Sequence, residues 1–162
     1  MKREPAPPPH PLLLPPGTRV GEWRVLGYHG HGAYGAVYRA LRVGQEHAGP
    51  VALKIALYPW DPRFMREVGL LSLVDHPGVP CLRGHGFYKH PAGTTHPYLV
   101  MDWVDGTPLY AWAREHHPSS RQLLQVLGQL ARALEGTHGP CALHRELEGE
   151  NVLIAAGSEV RT

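Results

Sequence analysis

The sequence predicts an α+β fold: an antiparallel sheet of five strands with one helix, followed by a helical part. Short runs rich in β-branched and aromatic residues follow one another from Gly21 to Leu57, and similar runs return between Cys81 and Val104. Between the two groups, residues 61–74 carry apolar side chains at helical spacing. Strands in direct succession favour antiparallel pairing, because parallel neighbours need a long crossover between them.

The five predicted strands are separated by turn-forming residues. They read EWRVLG, GAVYRAL, GPVALKIAL, CLRGHGFY and PYLVMDWV. The helix between the third and fourth strands has Asp61 as its N-cap and Pro62 as its first residue, which is the position that tolerates proline best. Its apolar positions are Phe64, Val68 and Leu71.

Two helices are predicted after Asp105-Gly106. The second has the clearest start, since Ser119 with Gln122 three residues later forms a capping box for a helix through about Glu135. Its apolar residues form one stripe, which comprises Leu123, Val126, Leu127, Leu130 and Leu134.

Composition divides the chain into three parts. Residues 1–18 include the run EPAPPPHPLLLPPG, which favours extended polyproline conformations, and we expect a disordered tail there. Its PxxP spacing leaves open a role as a ligand for an adaptor domain. The folded parts are expected to be 19–105, with the sheet, and 106–162, with the helices.

Composition also excludes several classes of partner. The net charge is +2 and the basic residues are scattered, so we expect no nucleic-acid partner. No apolar run approaches the ~20 residues of a membrane span, and two cysteines are too few for a disulfide framework. The twelve histidines lack the spacing of metal ligands. We therefore expect a cytoplasmic protein without a membrane partner.

A single lysine marks the third strand, VALKIAL. Alternation places Val51, Leu53, Ile55 and Leu57 on one face, and Lys54 on the other face between Ala52 and Ala56. Two small residues beside a cation leave room for a flat ligand, and lysine suits a phosphate as a compact charge. The alternative is a strand lysine that points to solvent.

Three glycines, Gly30, Gly32 and Gly35, lie in the stretch GHGAYGAVYRA before that strand. They indicate either a tight hairpin or a loop whose backbone must approach a ligand such as phosphate. With Val37 they match G-x-G-x-x-G-x-V. A dinucleotide-binding loop should open a helix, whereas this one lies between two strands.

With these two motifs the chain resembles a serine/threonine protein kinase of the bacterial eukaryotic-like family. The resemblance implies a kinase-like N-lobe, with five strands and an αC helix, followed by a helical partial C-lobe. It implies ATP as the ligand of the glycine loop, of Val37 and Ala52, and of Lys54. Glu67 would be the αC glutamate that pairs with Lys54.

The stretch YLVMDWVDG looks like the kinase hinge. By that likeness Met101 is the gatekeeper, and the backbones of Asp102 and Val104 bind the adenine edge. The alternative interpretations are a buried strand here and a surface carboxylate at Glu67.

The catalytic loop departs from the family pattern. Kinases have H-R-D-L-K-P-E-N, and this chain has HRELEGEN, so Glu146 takes the place of the catalytic aspartate and Glu148 that of the lysine. Asn151 matches the asparagine that binds magnesium. Glu146 is one methylene longer, and a misplacement of about 1 Å can cost ~100-fold in rate. We therefore expect impaired phosphotransfer. Because Glu148 repels phosphate and the sequence ends before the family's metal-binding aspartate, we also expect weak ATP binding and little help from magnesium.

The resemblance leads to three hypotheses about function. The first is transfer of the γ-phosphoryl group of ATP to a serine or threonine hydroxyl. The second is an inactive, pseudokinase-like module that binds nucleotide or a partner. The third is a truncated gene product, because the sequence ends at Thr162, before the Asp-Phe-Gly motif of the family.

The helix of residues 119–136 would be covered by further helices in a whole kinase. We therefore expect its five-residue stripe to face water here, and to bind a protein partner or a second copy of the chain.

Overall fold

The computed structural model describes residues 13–32, 34–137, 152–155 and 159–161. They divide into two units. The first contains the described residues up to 68 together with 82–103, and the second contains 69–81 and those from 104 onward.

A six-stranded antiparallel sheet forms most of the first unit. Its strands are β1 Arg19–Val20, β2 Trp23–His31, β3 Gly35–Arg42, β4 Val51–Ala56, β5 Leu82–Lys89 and β6 Thr95–Asp102. Their order is β1-β2-β3-β4-β6-β5, so β4 lies inside the sheet with β3 and β6 as neighbours. The five predicted strands are confirmed as β2 to β6, and the two residues of β1 extend the sheet beyond β2.

One face of this sheet holds the core of the first unit. Tyr38, Leu53 and Ile55 are fully buried there, as the alternation of β4 predicts for the last two. Leu14 and Val20 belong to the same core. Burying one such side chain stabilises the fold by about 1.5–3 kcal/mol.

Residues 13–18, which the sequence assigns to the tail, pack against the sheet. The backbone N–H of Leu14 donates to the hydroxyl oxygen of Tyr38 at 3.2 Å. Further along, Gly17 N–H donates to the Val25 carbonyl at 2.7 Å, and Val25 N–H donates to that of Thr18 at 2.9 Å. These bonds hold the segment beside β2. Residues 1–12 lie outside the described residues.

Helix α1, Pro62–Leu73, begins as the sequence predicts. The Asp61 carboxylate accepts the backbone N–H of Arg63 at 3.0 Å, which is the bond of an N-cap. Phe64 and Val68, one turn apart, are buried.

The second unit contains two helices and a small antiparallel sheet. Its elements are β7 Gly106–Pro108, α2 Leu109–His116, α3 Ser120–Thr137, β8 Leu153–Ala155 and β9 Glu159–Arg161. The strand order of the small sheet, which was not predicted, is β7-β8-β9. The capping box of α3 is confirmed: Ser119 N–H donates to Gln122 Oε1 at 2.9 Å, and Gln122 N–H donates to Ser119 Oγ at 3.3 Å.

The expectation that the whole α3 stripe faces water is wrong. Val126 and Leu130 are buried in a cluster with three residues from other elements, and Leu134 packs against it; the three are Trp112, Val152 and Ile154. Leu123 and Leu127 remain exposed. Within the described part of the chain, no helix is long and apolar enough to cross a membrane.

Candidate functional site

The glycine-rich stretch is the turn of a hairpin between β2 and β3. Gly30 lies opposite Val37, and His31 lies opposite Ala36. Gly32 N–H then donates to the Gly35 carbonyl at 2.9 Å, which closes the turn. The hairpin that the glycines indicate is therefore present. The space around each glycine shows whether a ligand could also approach its backbone.

Gly30 and Gly32 have open space where a side chain would be. A Cβ atom on either would meet no described heavy atom within 4 Å, and neither residue has a φ in the left-handed region. Within the described residues, neither packing nor backbone conformation requires glycine here. A ligand that lies against the backbone would require it.

Gly35 is glycine for another reason. A Cβ atom there would lie 3.0 Å from both Cγ and Cε of Lys54, and 3.2 Å from the carbonyl oxygen of Ile55. The lysine side chain therefore passes directly over Gly35. The register of β3 and β4 produces this contact, because it places Val37 opposite Lys54.

The predicted contact between Lys54 and Glu67 is confirmed. The Lys54 ammonium donates to both carboxylate oxygens, at 2.8 Å and 2.9 Å, and lies 5.9 Å from the centre of the Phe64 ring. The two bonds use two of its three N–H donors. The lysine side chain is 21% exposed, so part of it is accessible from solvent.

A flat apolar surface lies beside this cation. Ala52 is opposite Met101 on β6, and Lys54 is opposite Val37 on β3. Residues directly opposite in antiparallel strands share a face, as do residues two apart in one strand, so all four lie on the same face of the sheet. Ala52 is buried, and Val37 and Met101 are half-buried. The surface suits a planar ring with an anionic group beside it.

The other predicted site residues are less closely grouped. Asp102, at the end of β6, is half-buried, and its carboxylate forms an ion pair with Arg83 of β5. Val104 is half-buried and belongs to the second unit. Glu146 and Asn151 lie outside the described residues.

The predicted magnesium ligand, Asn151, is one of the residues that are not described, so the described donor set does not test a magnesium site. Within the described ranges, no three His, Cys, Asp or Glu side chains gather into a possible metal site.

One contact at the turn was missed. The guanidinium carbon of Arg63, in the first turn of α1, lies 4.2 Å from the centre of the Tyr34 ring, at the tip of the glycine hairpin. Arg63 also forms an ion pair with Asp61 at 2.8 Å. Hydrogen bonds from the Arg63 side chain hold the pKa of the Asp61 carboxyl below its usual value. The signal in the sequence was the aromatic residue between two glycines.

A second missed residue is Trp103, directly after β6. Its ring meets the His29 ring edge-on at 4.9 Å, and the Arg39 guanidinium lies over it at 5.4 Å. Trp103 therefore connects the end of β6 to β2 and β3, on either side of the glycine hairpin.

Comparisons with known proteins find relatives for most of the chain. The family described as "Protein tyrosine and serine/threonine kinase" matches residues 25–162. The chain is 34% identical over 160 residues to "Serine/threonine-protein kinase pkn2" of Myxococcus xanthus, covering 92% of this chain and 18% of that protein. It is 29% identical over 153 residues to "Serine/threonine-protein kinase PknA" of Mycobacterium tuberculosis, covering 89% and 35%.

A solved structure has the same fold. The chain titled "PpkA-294 apo form" superposes with a TM-score of 0.72 at 21% identity, covering 91% of this chain and 59% of that one. The present chain spans about a fifth to a third of the length of the curated relatives named above.

Proposed function

This chain belongs to the protein tyrosine and serine/threonine kinase family, and on that premise we propose that it binds ATP on the Lys54 face of the sheet. The observation that carries the proposal is the ion pair of Lys54 with Glu67, whose lysine passes over Gly35 of the hairpin that also carries the open glycines Gly30 and Gly32. A cation fixed next to an accessible backbone is what a polyphosphate needs.

Each predicted residue receives a role in this proposal. The backbone of Gly30, Gly32 and Gly35 lies against the phosphates, and Lys54, oriented by Glu67, donates to a phosphate oxygen. The adenine ring lies on the apolar surface, which comprises Val37, Ala52 and Met101. The backbones of Asp102 and Val104 bind its polar edge.

The activity that we propose is phosphoryl transfer to a serine or threonine hydroxyl, at a reduced rate. Bound ATP supplies the γ-phosphoryl group and leaves as ADP, and magnesium would neutralise the charge of the phosphates. Glu146 accepts the proton of the substrate hydroxyl, and Asn151 is the residue assigned to magnesium. Glu146 carries one methylene more than the family's aspartate, and Glu148 adds negative charge beside the transferred group.

A second candidate function is nucleotide binding without phosphoryl transfer. The two glutamates of the catalytic loop, Glu146 and Glu148, favour it, because positioning and charge provide most of the catalysis in this family. Either candidate is compatible with the Lys54–Glu67 pair.

Calorimetric titration with ATP, with and without magnesium, tests the binding proposal. We expect weak binding, because Glu148 repels phosphate, and only a small gain from magnesium. Lys54→Met should weaken the affinity about tenfold or more, equivalent to ~1.4 kcal/mol. Lys89→Met, which removes an exposed lysine from β5, is the matched control. Equal affinity in the two variants, or no binding at all, would contradict the proposal.

Transfer of radioactive phosphate to a serine- and threonine-containing protein separates the two candidates. Glu146→Asp restores the family's base, so it should raise the rate if the chain is a slow kinase. If ATP binds while the wild type and Glu146→Asp both transfer no phosphate, the binding module is the better description.

We also propose an interaction surface on α3. The exposed leucines are Leu123, Leu124 and Leu127, of which Leu124 is 69% exposed. This set is smaller than the sequence predicted, and a protein partner or a second copy of the chain would cover it.

A further inference from the structure

Two of the described contacts of Tyr34 attach the tip of the glycine hairpin to its neighbours. The backbone carbonyl of Tyr34 accepts the N–H of Leu57 at 2.8 Å, just beyond β4. The Tyr34 ring lies under the Arg63 guanidinium at 4.2 Å. A cation over a tyrosine ring at this distance is attractive. The turn that carries the open glycines is therefore attached to helix α1.

The Arg63 side chain is also held by the carboxylate of Asp61. Its Nε donates to Asp61 Oδ1 at 3.0 Å, and its Nη2 donates to Oδ2 at 2.8 Å, so both carboxylate oxygens are engaged. The Asp61 side chain is 2% exposed and also caps α1. A guanidinium held by a buried carboxylate loses little further freedom when it packs on Tyr34.

The face of α1 that carries Arg63 also carries Glu67, which contacts Lys54. Arg63 and Glu67 are four residues apart, so they lie one above the other on the helix. Glu67 holds Lys54, and Arg63 holds the hairpin tip. One helix thus fixes the cation and the glycine turn together.

We propose that Arg63 is a positioning residue, which holds the glycine hairpin in place through Tyr34 so that its backbone is ready for the phosphates. This inference deepens the proposed function and rests on it for the identity of the ligand. Loss of the Arg63–Tyr34 contact loosens the turn, which the backbone bond to Leu57 still holds, while Lys54 and Glu67 stay paired. A looser turn must be ordered again whenever nucleotide binds, so affinity falls.

Hydrogen exchange of the full chain without nucleotide tests whether the Arg63–Tyr34 contact holds the glycine turn in place. Arg63→Gln and Tyr34→Leu should each speed exchange of the amides at 30–36 by about two- to fivefold, the range expected for an exposed cation–π contact. Tyr34→Phe keeps the ring but loses the hydroxyl that also bonds Arg63, so it should recover part of the protection. Arg66→Gln, which removes an exposed arginine from the same helix, is the matched control.

Titration with ATP tests whether the Arg63–Tyr34 contact increases the affinity for nucleotide. Arg63→Gln and Tyr34→Leu should each raise Kd by the same two- to fivefold factor, and the double variant should be no weaker than either single variant. If Arg63→Gln matches Arg66→Gln in exchange, or if the two effects add fully in the double variant, the proposal is overturned. If the exchange contrast holds but the wild type binds no ATP, the proposed function fails and the positioning contact stands.

Discussion

Lys54 and Glu67 lie 13 positions apart in the sequence, yet the ammonium nitrogen of one is within 2.9 Å of both carboxylate oxygens of the other. The pair joins β4, which lies inside the sheet, to α1. Because the side chains are 21% and 36% exposed, water screens their attraction and the pair adds little to stability. Its contribution is to fix where the ammonium group points.

Glu67→Gln is expected to separate these two effects. The free energy of unfolding should change by less than about 1 kcal/mol. The affinity for ATP should fall about three- to tenfold, because Lys54 is no longer held toward the phosphates. Urea denaturation and calorimetry measure the two quantities. Glu115→Gln, at an exposed position of α2, is the control; a stability loss of several kcal/mol for Glu67→Gln with unchanged affinity would contradict the assignment.

Alanine at Gly32 and at Gly35 should have different effects on stability. Gly35→Ala pushes a methyl group against Lys54 and the Ile55 carbonyl, so we expect a loss of about 1–3 kcal/mol. Gly32→Ala enters open space and should stay within about 0.5 kcal/mol of the wild type. Both should weaken ATP binding. Chemical denaturation followed by circular dichroism measures the difference in stability between the two variants. Equal stabilities would argue against the described hairpin.

The Asp61–Arg63 pair predicts a pH dependence of stability. Its hydrogen bonds lower the pKa of Asp61 in the folded protein, so the folded state releases the proton more readily than the unfolded state, whose pKa is ~3.9. The stabilisation is therefore complete above that value and is lost as the pH falls through the lower folded pKa.

Asp61→Asn keeps an N-cap side chain but removes the charge, so it isolates this effect. It should be less stable than the wild type at pH 7, and the difference should shrink between about pH 5 and pH 3. Asp61→Ala also removes the cap, which costs a further ~0.5–2 kcal/mol. Thermal unfolding across this pH range measures both variants; a difference that stays constant with pH would show that the charge contributes nothing.

Substitutions on the exposed side of helix α3 should leave stability almost unchanged, whereas substitutions on its buried side should lower it. Leu130→Ala removes a side chain from the buried cluster and should destabilise the second unit by about 2–5 kcal/mol. Leu124→Gln changes an exposed position and should alter stability by no more than about 0.5 kcal/mol. Light scattering at several concentrations should show less association for Leu124→Gln than for the wild type. A wild type that stays monomeric throughout would contradict self-association.

The local elements could be predicted because their signals are local. The N-cap at Asp61, the capping box at Ser119 and the alternation around Lys54 each depend on a few neighbouring residues. The contact between Lys54 and Glu67 depends on tertiary packing, and only the spacing of family motifs revealed it. The roles of the site residues in nucleotide binding stay predictions.

Features that depend on distant residues could not be predicted. The strand Gly106–Pro108 is three residues long, ends in proline, and pairs with Leu153–Ala155 far along the chain. The burial of Val126 depends on Trp112 and Ile154 in the same way. The Tyr34–Arg63 contact was missed because an arginine beside an N-cap aspartate has the pattern of an ordinary surface pair.

The packing of Leu14 matters for anyone who prepares this protein. The family match begins at residue 25, but Leu14, Val20 and Trp23 lie in the core of the first unit. A recombinant chain cut at the start of the match would lose β1 and remove the apolar cover from Tyr38. An affinity tag or a protease cleavage site therefore belongs ahead of Leu13, where it leaves this core complete.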